Sequence, residues 1–207
     1  MWLPDLRTLI IITPPLLLAI TFHELAHGWM AWRLGDPTAK AAGRLTLNPL
    51  KHLDPVGTLV LVLTQAIGWA RPVPVNPNYF RHPRRDMMWV GLAGPGANFL
   101  MAVLLAVLYH ALSPGAHILA VKLLRLMLAL GVQINLGLGI FNLLPVPPLD
   151  GSRVLAGVLP SSVAYAFMRY EFMGFIFLIL LIFTGVVDKI IFPLIFGFSH
   201  LLLGGWP

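Results

Sequence analysis

Cysteine is absent from the 207 residues. That excludes a disulfide, a thiol nucleophile and any thiolate metal site, so a metal in this protein must rest on histidine and carboxylate. Charge is scarce as well: Asp, Glu, Lys and Arg together make up 11% of the chain against 58% apolar residues, and mean hydropathy is +0.84. Soluble domains carry about 25% charged residues, so this composition belongs to an integral membrane protein with the lipid bilayer as its surroundings. The formal charge of +6 does not point to nucleic acid. Its basic residues stand in short loops between apolar runs, where they orient a chain in a bilayer.

What the chain has in quantity is apolar sequence. Residues 6–32, 88–112, 118–144 and 170–187 each approach or exceed the length of a bilayer crossing, about twenty residues. Residues 56–70 are too short for a comfortable crossing and are expected to re-enter. Residues 190–206 form an apolar tail that returns partway or lies in the interface. Pro14 and Pro15 are expected to kink the first run, which lacks a small-x-small cleavage site and is read as a retained span. Between the runs, 33–54 is polar and turn-rich, 71–86 is a Pro-rich basic connector, 113–117 is a tight turn and 145–169 is a loop. Within the first of these, Gly43-Arg44-Leu45-Thr46-Leu47-Asn48-Pro49 alternates in the manner of a short strand, or is an ordinary surface loop.

Charge placement tests this layout. If 56–70 does not cross, three loops share one side and collect 10 of the 14 Lys and Arg residues, which the positive-inside rule makes cytoplasmic. If 56–70 crosses, the bias mostly vanishes. Re-entry is therefore the expectation, with Lys122 and Arg125 reaching for the opposite interface.

The first run contains His23-Glu24-Leu25-Ala26-His27. On a helix, residues four apart share a face, so the two imidazoles can grip one metal ion while Glu24, one step round, reaches a water on it. The same pattern occurs in soluble helices whose histidines merely face solvent. Here the sequence upstream is almost wholly apolar, and ionisable groups inside a bilayer are costly and usually functional. Catalytic zinc takes three protein ligands and keeps a fourth position open. Candidates for the third are His52, His82, His110, His117, His200 and the acidic residues. The run 118–144 ends at the depth of the two histidines and is followed by Asn142-Leu143-Leu144-Pro145-Val146-Pro147-Pro148-Leu149-Asp150-Gly151. Its prolines stop the helix and Gly151 permits a tight bend. Asp150 is thus the candidate, and an ordinary Asp-Gly turn is the alternative. Asn142 and Asn98 can hydrogen-bond an oxyanion, although tying helices together is the favoured reading of Asn98.

Three separated motifs, His23-Glu24-x-x-His27-Gly28, Gly94-Pro95-x-Ala97-Asn98 and Asn142-x-x-Pro145-x-Pro147-x-x-Asp150-Gly151, together resemble the site-2 protease family of intramembrane zinc metalloproteases. The run from Leu34 to Gly57 is similar to its compact prokaryotic branch without a PDZ domain. The resemblance covers about 21–155. It implies one zinc ion per chain held by His23, His27 and Asp150, Glu24 as general base, and Asn142 as the asparagine that steadies substrate or oxyanion. It also implies a membrane-associated β-hairpin and re-entrant segment at about 43–70.

The expected fold is accordingly all-α and polytopic, a bundle of about four to six transmembrane helices with that hairpin and re-entrant segment. One domain is expected over 1–207, its catalytic core at about 6–155 and its C-terminal span and apolar tail at 156–207. Substrates would be transmembrane proteins, cleaved from the cytoplasmic side of the cell membrane. A peptide bond inside a helix is hidden by its own hydrogen bonds, so the substrate must unwind first. Arg44, Leu45, Thr46 and Leu47, as an edge strand, are expected to hold it by strand addition, with Asn98 beside them. The rivals are a metal-binding transporter or non-proteolytic relative, for which Glu24 between the histidines has no purpose, and a membrane zinc peptidase acting on the end of a lipidated protein.

Overall fold

The computed structural model of the chain describes residues 6–64, 68–112, 118–169 and 171–205. The expected turn at 113–117, with His117, lies outside them. In a bilayer no water satisfies backbone N–H and C=O groups, so apolar runs close their hydrogen bonds internally as helices. Among the described residues these are α1 (Leu6–Arg33), α2 (Thr38–Ala41), α3 (Pro55–Thr64), α4 (Pro83–Ala111), α5 (Leu119–Asn142), α6 (Asp150–Val158), α7 (Ser161–Arg169), α8 (Glu171–Phe183) and α9 (Val186–Leu203). By length and apolarity three of them can cross a membrane, α1, α4 and α5. A fourth span is added if the bent pair α7 and α8 counts as one. That is the lower end of the expected four to six.

Helices α1, α4 and α5 pack on one another, α9 lies along α5, and α6 seats against α4. The core between α4, α5 and α9 gathers Ala102, Leu105, Ala106, Val132, Leu136 and Leu203. Small residues set the helix spacing, as where Gly131 meets Leu105 and Pro15, and Gly139 meets Phe99. Lipid gives no hydrophobic drive to helix association, so close packing of this kind has to supply it. The outward faces stay apolar, with Val107 60%, Leu108 53% and Phe183 80% exposed, as a lipid-facing surface requires.

The helices alternate in direction. Val90 near the start of α4 meets His27 in the second half of α1, and Arg84 bonds Ser161 and the carbonyl of Leu159, so these elements share one end of the bundle. At the other end His110 contacts the Leu202 carbonyl. Arg125 extends toward this same end, where α5 begins. It lies over the Tyr109 ring at 4.1 Å and donates to the carbonyls of Tyr109 and Leu112, where a cation favourably caps the negative end of α4.

Residues 53–70 leave and return at one level: Leu53 pairs with Ala70 in an antiparallel bridge, and Arg71 N–H donates to the His52 carbonyl at 2.9 Å. Between them α3 has only ten residues, about half a crossing. The expected β-hairpin is not formed, and no strand exists at 44–48. Side chains take up the backbone groups that a ladder needs. The Thr46 carbonyl accepts from the His52 ring at 2.9 Å, Thr46 Oγ1 accepts the Asn48 N–H at 3.1 Å, and the Asn48 carboxamide caps the turn at Pro49–Lys51. Arg44 is drawn inward, 6% exposed.

Candidate active site

Helix α1 puts His23 and His27 on one face, rings edge to face with centroids 4.6 Å apart. Their Nε2 atoms stand 3.0 Å from each other. Across from them α6 begins at Asp150, whose Oδ2 lies 3.2 Å from Nε2 of His23 and 3.1 Å from Nε2 of His27. Asp150 reaches this place because the chain folds sharply back after α5. A side chain on Gly151 would overlap the carbonyl of Leu143. The Asp150 carboxylate therefore serves the imidazoles and Arg153, whose Nη1 is 3.5 Å from Oδ1, not its own turn. All three groups are buried, at 6% to 8% exposure. Among the described residues they are the one set of His and acidic groups able to share an ion.

The protonation of the rings follows from their other partners. Nδ1 of His27 is 2.7 Å from the Val90 carbonyl, which can only accept, so Nδ1 carries the proton and Nε2 the lone pair. Nδ1 of His23 is 2.6 Å from Oδ1 of Asn98, with the same result. Two nitrogen lone pairs and a carboxylate oxygen thus face one another at 3.0 to 3.2 Å, an arrangement that repels unless a cation sits among them. The edge of a zinc tetrahedron with bonds of about 2.0–2.1 Å is about 3.3 Å. The donor set and its spacing fit zinc, and the backbone and carboxamide partners behind the rings are the outer contacts that orient metal-binding histidines.

Glu24, one step round α1, holds the N–H of Val73 on Oε2 at 2.9 Å. It opens on the same cavity as His23, His27 and Asp150, about 350 Å³, walled also by Trp69, Ala70, Pro72, Val75, Asn142, Pro148 and Arg153. Asn142 lines this cavity, while its Nδ2 donates to the Leu138 carbonyl at 3.0 Å. Asn98 does not. It is wholly buried, and its carboxamide contacts His23, Ala19 and Asn135, tying α4 to α1 and α5. Arg44, Leu45, Thr46 and Leu47 are likewise absent from the cavity wall. Leu45 packs beside Gly28 of α1 and Leu47 is 61% exposed. Arg44 donates to the carbonyls of Arg71 at 2.6 Å and Pro72 at 3.3 Å, and so grips the segment that does form the wall.

The other histidines stand apart: His52 is buried against Thr46, His110 is at the opposite end, His82 precedes α4 and His200 lies in α9. Sequence reasoning missed Arg153, the Val73 N–H and Asn135. Only Asn135 left a usable signal, a carboxamide in the middle of an apolar run. Two glycines of α4 admit close neighbours: Gly91 faces the Asp150 carbonyl and the Arg153 side chain, and Gly94 faces both imidazoles.

The sequence pattern of Peptidase family M50 matches residues 115–183. The chain is 43% identical over 185 residues to the "Putative zinc metalloprotease YwhC" of Bacillus subtilis, covering 87% of this chain and 83% of that one. Rip2 of Mycolicibacterium smegmatis, which bears the same description, is 31% identical over 186 residues, or 88% of this chain and 70% of its own. "Zinc metalloprotease MJ0392" of Methanocaldococcus jannaschii is 25% identical over 150 residues, 72% of this chain and 34% of its own. No solved structure matches the chain. Fold and donor set define a zinc hydrolase built into a helical membrane bundle. The chain belongs to peptidase family M50, the site-2 protease family, and is an intramembrane zinc metalloprotease.

Proposed function

We propose that the chain cleaves peptide bonds within or near transmembrane segments of other membrane proteins from the cytoplasmic side, with His23, His27 and Asp150 holding the zinc and Glu24 as general base. The observation that carries this reading is the convergence of three lone-pair donors within 3.2 Å of one another beside Glu24 on a single cavity. Zinc, when bound there, supplies a Lewis acid that polarises the scissile carbonyl and makes water acidic enough to act near neutral pH. Glu24, anchored through Oε2, takes a proton from the attacking water and returns it to the departing amide nitrogen. Asn142 and Arg153, on the same wall, would supply hydrogen bonds to the carbonyl oxygen as charge grows on it. The non-helical stretch at 69–75 forms much of that wall, which suits a substrate already unwound, since a helical one keeps its carbonyls bonded. Cytoplasmic orientation is supported by the basic loops gathered at the end where α4 begins.

The test is a reconstituted cleavage assay on a single-span protein with helix-weakening residues in its span, run on the wild type and Glu24→Gln. Glu24→Gln is expected to keep its zinc and to lose turnover by about 10²- to 10⁴-fold, the usual worth of a positioned acid-base group. Cleavage by Glu24→Gln at the wild-type rate removes Glu24 from the mechanism.

A further inference from the structure

We propose that Asn135 is a positioning residue of the metal centre, acting through Asn98 to hold the His23 ring with its Nε2 lone pair turned toward the ion. The proposal rests on the reading of His23 as a zinc ligand. Asn135 stands mid-way along α5 and Asn98 along α4, both 0% exposed, and neither lines the cavity. A carboxamide inside a bilayer is expensive unless each polar atom is paired. Here they are paired in series. Asn98 Nδ2 donates to the Ala19 carbonyl at 3.2 Å and to Asn135 Oδ1 at 2.9 Å, and Asn135 Nδ2 donates to the Gly131 carbonyl at 2.8 Å.

The polarity of this line is fixed from its ends. Backbone carbonyls only accept, so Ala19 and Gly131 each require an N–H from the carboxamide facing them. Both carboxamide oxygens then point the other way, and Asn98 Oδ1 is left for His23, 2.6 Å from Nδ1. Only a proton on Nδ1 completes the line, which leaves Nε2 free to bind metal. If Asn98 flipped, its oxygen would oppose two acceptors, the Ala19 carbonyl and Asn135 Oδ1. Without Asn135 it would oppose one and keep an N–H with no partner. Asn135 thus adds a second lock on the tautomer and tilt of a ring it does not touch.

The experiment is a competition titration of the purified full-length chain against a chromogenic zinc chelator, which reads zinc affinity without reference to proteolysis. It compares the wild type, Asn135→Leu, Asn135→Asp, Asn98→Ala and the Asn98→Ala/Asn135→Leu double variant. Asn98→Ala is expected to bind zinc about 10- to 100-fold more weakly, the usual cost of losing such an outer contact. Asn135→Leu should bind roughly tenfold more weakly, within the same range. Asn135→Asp, protonated in its apolar site, can still accept from Asn98 and donate to Gly131, and should restore wild-type affinity. Because Asn135 acts through Asn98, its loss should cost nothing further once Asn98 is gone, a non-additivity that a general packing defect does not produce. Asn135→Ala replaces Asn135→Leu should the leucine fail to fold. Wild-type affinity in Asn135→Leu, no rescue by Asn135→Asp, or full additivity in the double variant overturns the proposal. A wild type that binds no zinc defeats the ligand reading itself.

Discussion

A side chain on Gly94 of α4 would overlap Nε2 of His27 and come within 2.7 Å of Cε1 of His23. The residue facing the two imidazoles across the helix interface therefore has to be the smallest one. Gly94→Ala is predicted to displace the rings and to abolish zinc binding, with loss of roughly 1–3 kcal/mol from overpacking. Two residues on, Gly96 has nothing within 4 Å of where its side chain would begin, so Gly96→Ala should bind zinc as the wild type does. Zinc content of the two purified variants decides it; equal, full occupancy in both contradicts the packing argument.

Removal of the ion should expose the repulsion it relieves. Nε2 of His23 and of His27 would be left facing the Asp150 carboxylate at 3.2 and 3.1 Å. At free zinc a thousandfold above its dissociation constant, the bound ion adds about 4 kcal/mol to stability. A chelator should accordingly lower the melting temperature of the wild type and leave His23→Ala and Asp150→Ala unmoved. A wild type that melts alike with and without chelator would argue against a structural contribution from the site.

Arg44 makes a separable prediction. Its guanidinium holds the carbonyls of Arg71 and Pro72, and the next residue, Val73, gives its N–H to Glu24. Arg44→Met should release this wall of the cavity, at about 1.5–3 kcal/mol per charged hydrogen bond lost. Cleavage should fall while zinc affinity holds, because none of the three ligands is touched. A parallel fall in zinc affinity would mean that the segment supports the metal directly.

The sequence was most readable where chemistry is local. His23, Glu24 and His27 lie within one helical turn, and an apolar run leaves a polar triplet conspicuous. Asp150 was reachable because α5 has to end at the depth of the histidines, a consequence of helix length and alternation. The failures came where side chains compete with backbone. Residues 44–48 alternate as a strand does, yet His52, Thr46 and Asn48 satisfy the local backbone groups, and Arg44 turns inward to partners nearly thirty residues away. Asn98 was legible as a tie between helices, which its bonds to Ala19 and Asn135 make it, but not as a partner of a histidine. Its link to His23 spans 75 positions of sequence, and no local pattern encodes it. Asn135 stands out as a carboxamide in an apolar run, but its bond to Asn98, 37 positions away, does not.

Orientation in the bilayer can be read directly, since a chain without cysteine accepts a single reporter. Arg81 is exposed near the start of α4, at the end of the bundle that holds the site. Arg81→Cys is predicted to react with a membrane-impermeant thiol reagent in inverted vesicles and not in intact cells. Labelling in intact cells alone would reverse the assigned side.

Zinc-edge X-ray absorption on the purified protein tests the ligand assignment most directly. One zinc per chain is predicted, with two imidazoles among its neighbours, and loss of that ion, or of one light-atom neighbour, in Asp150→Ala. Stoichiometric zinc with an unchanged spectrum in Asp150→Ala would contradict it.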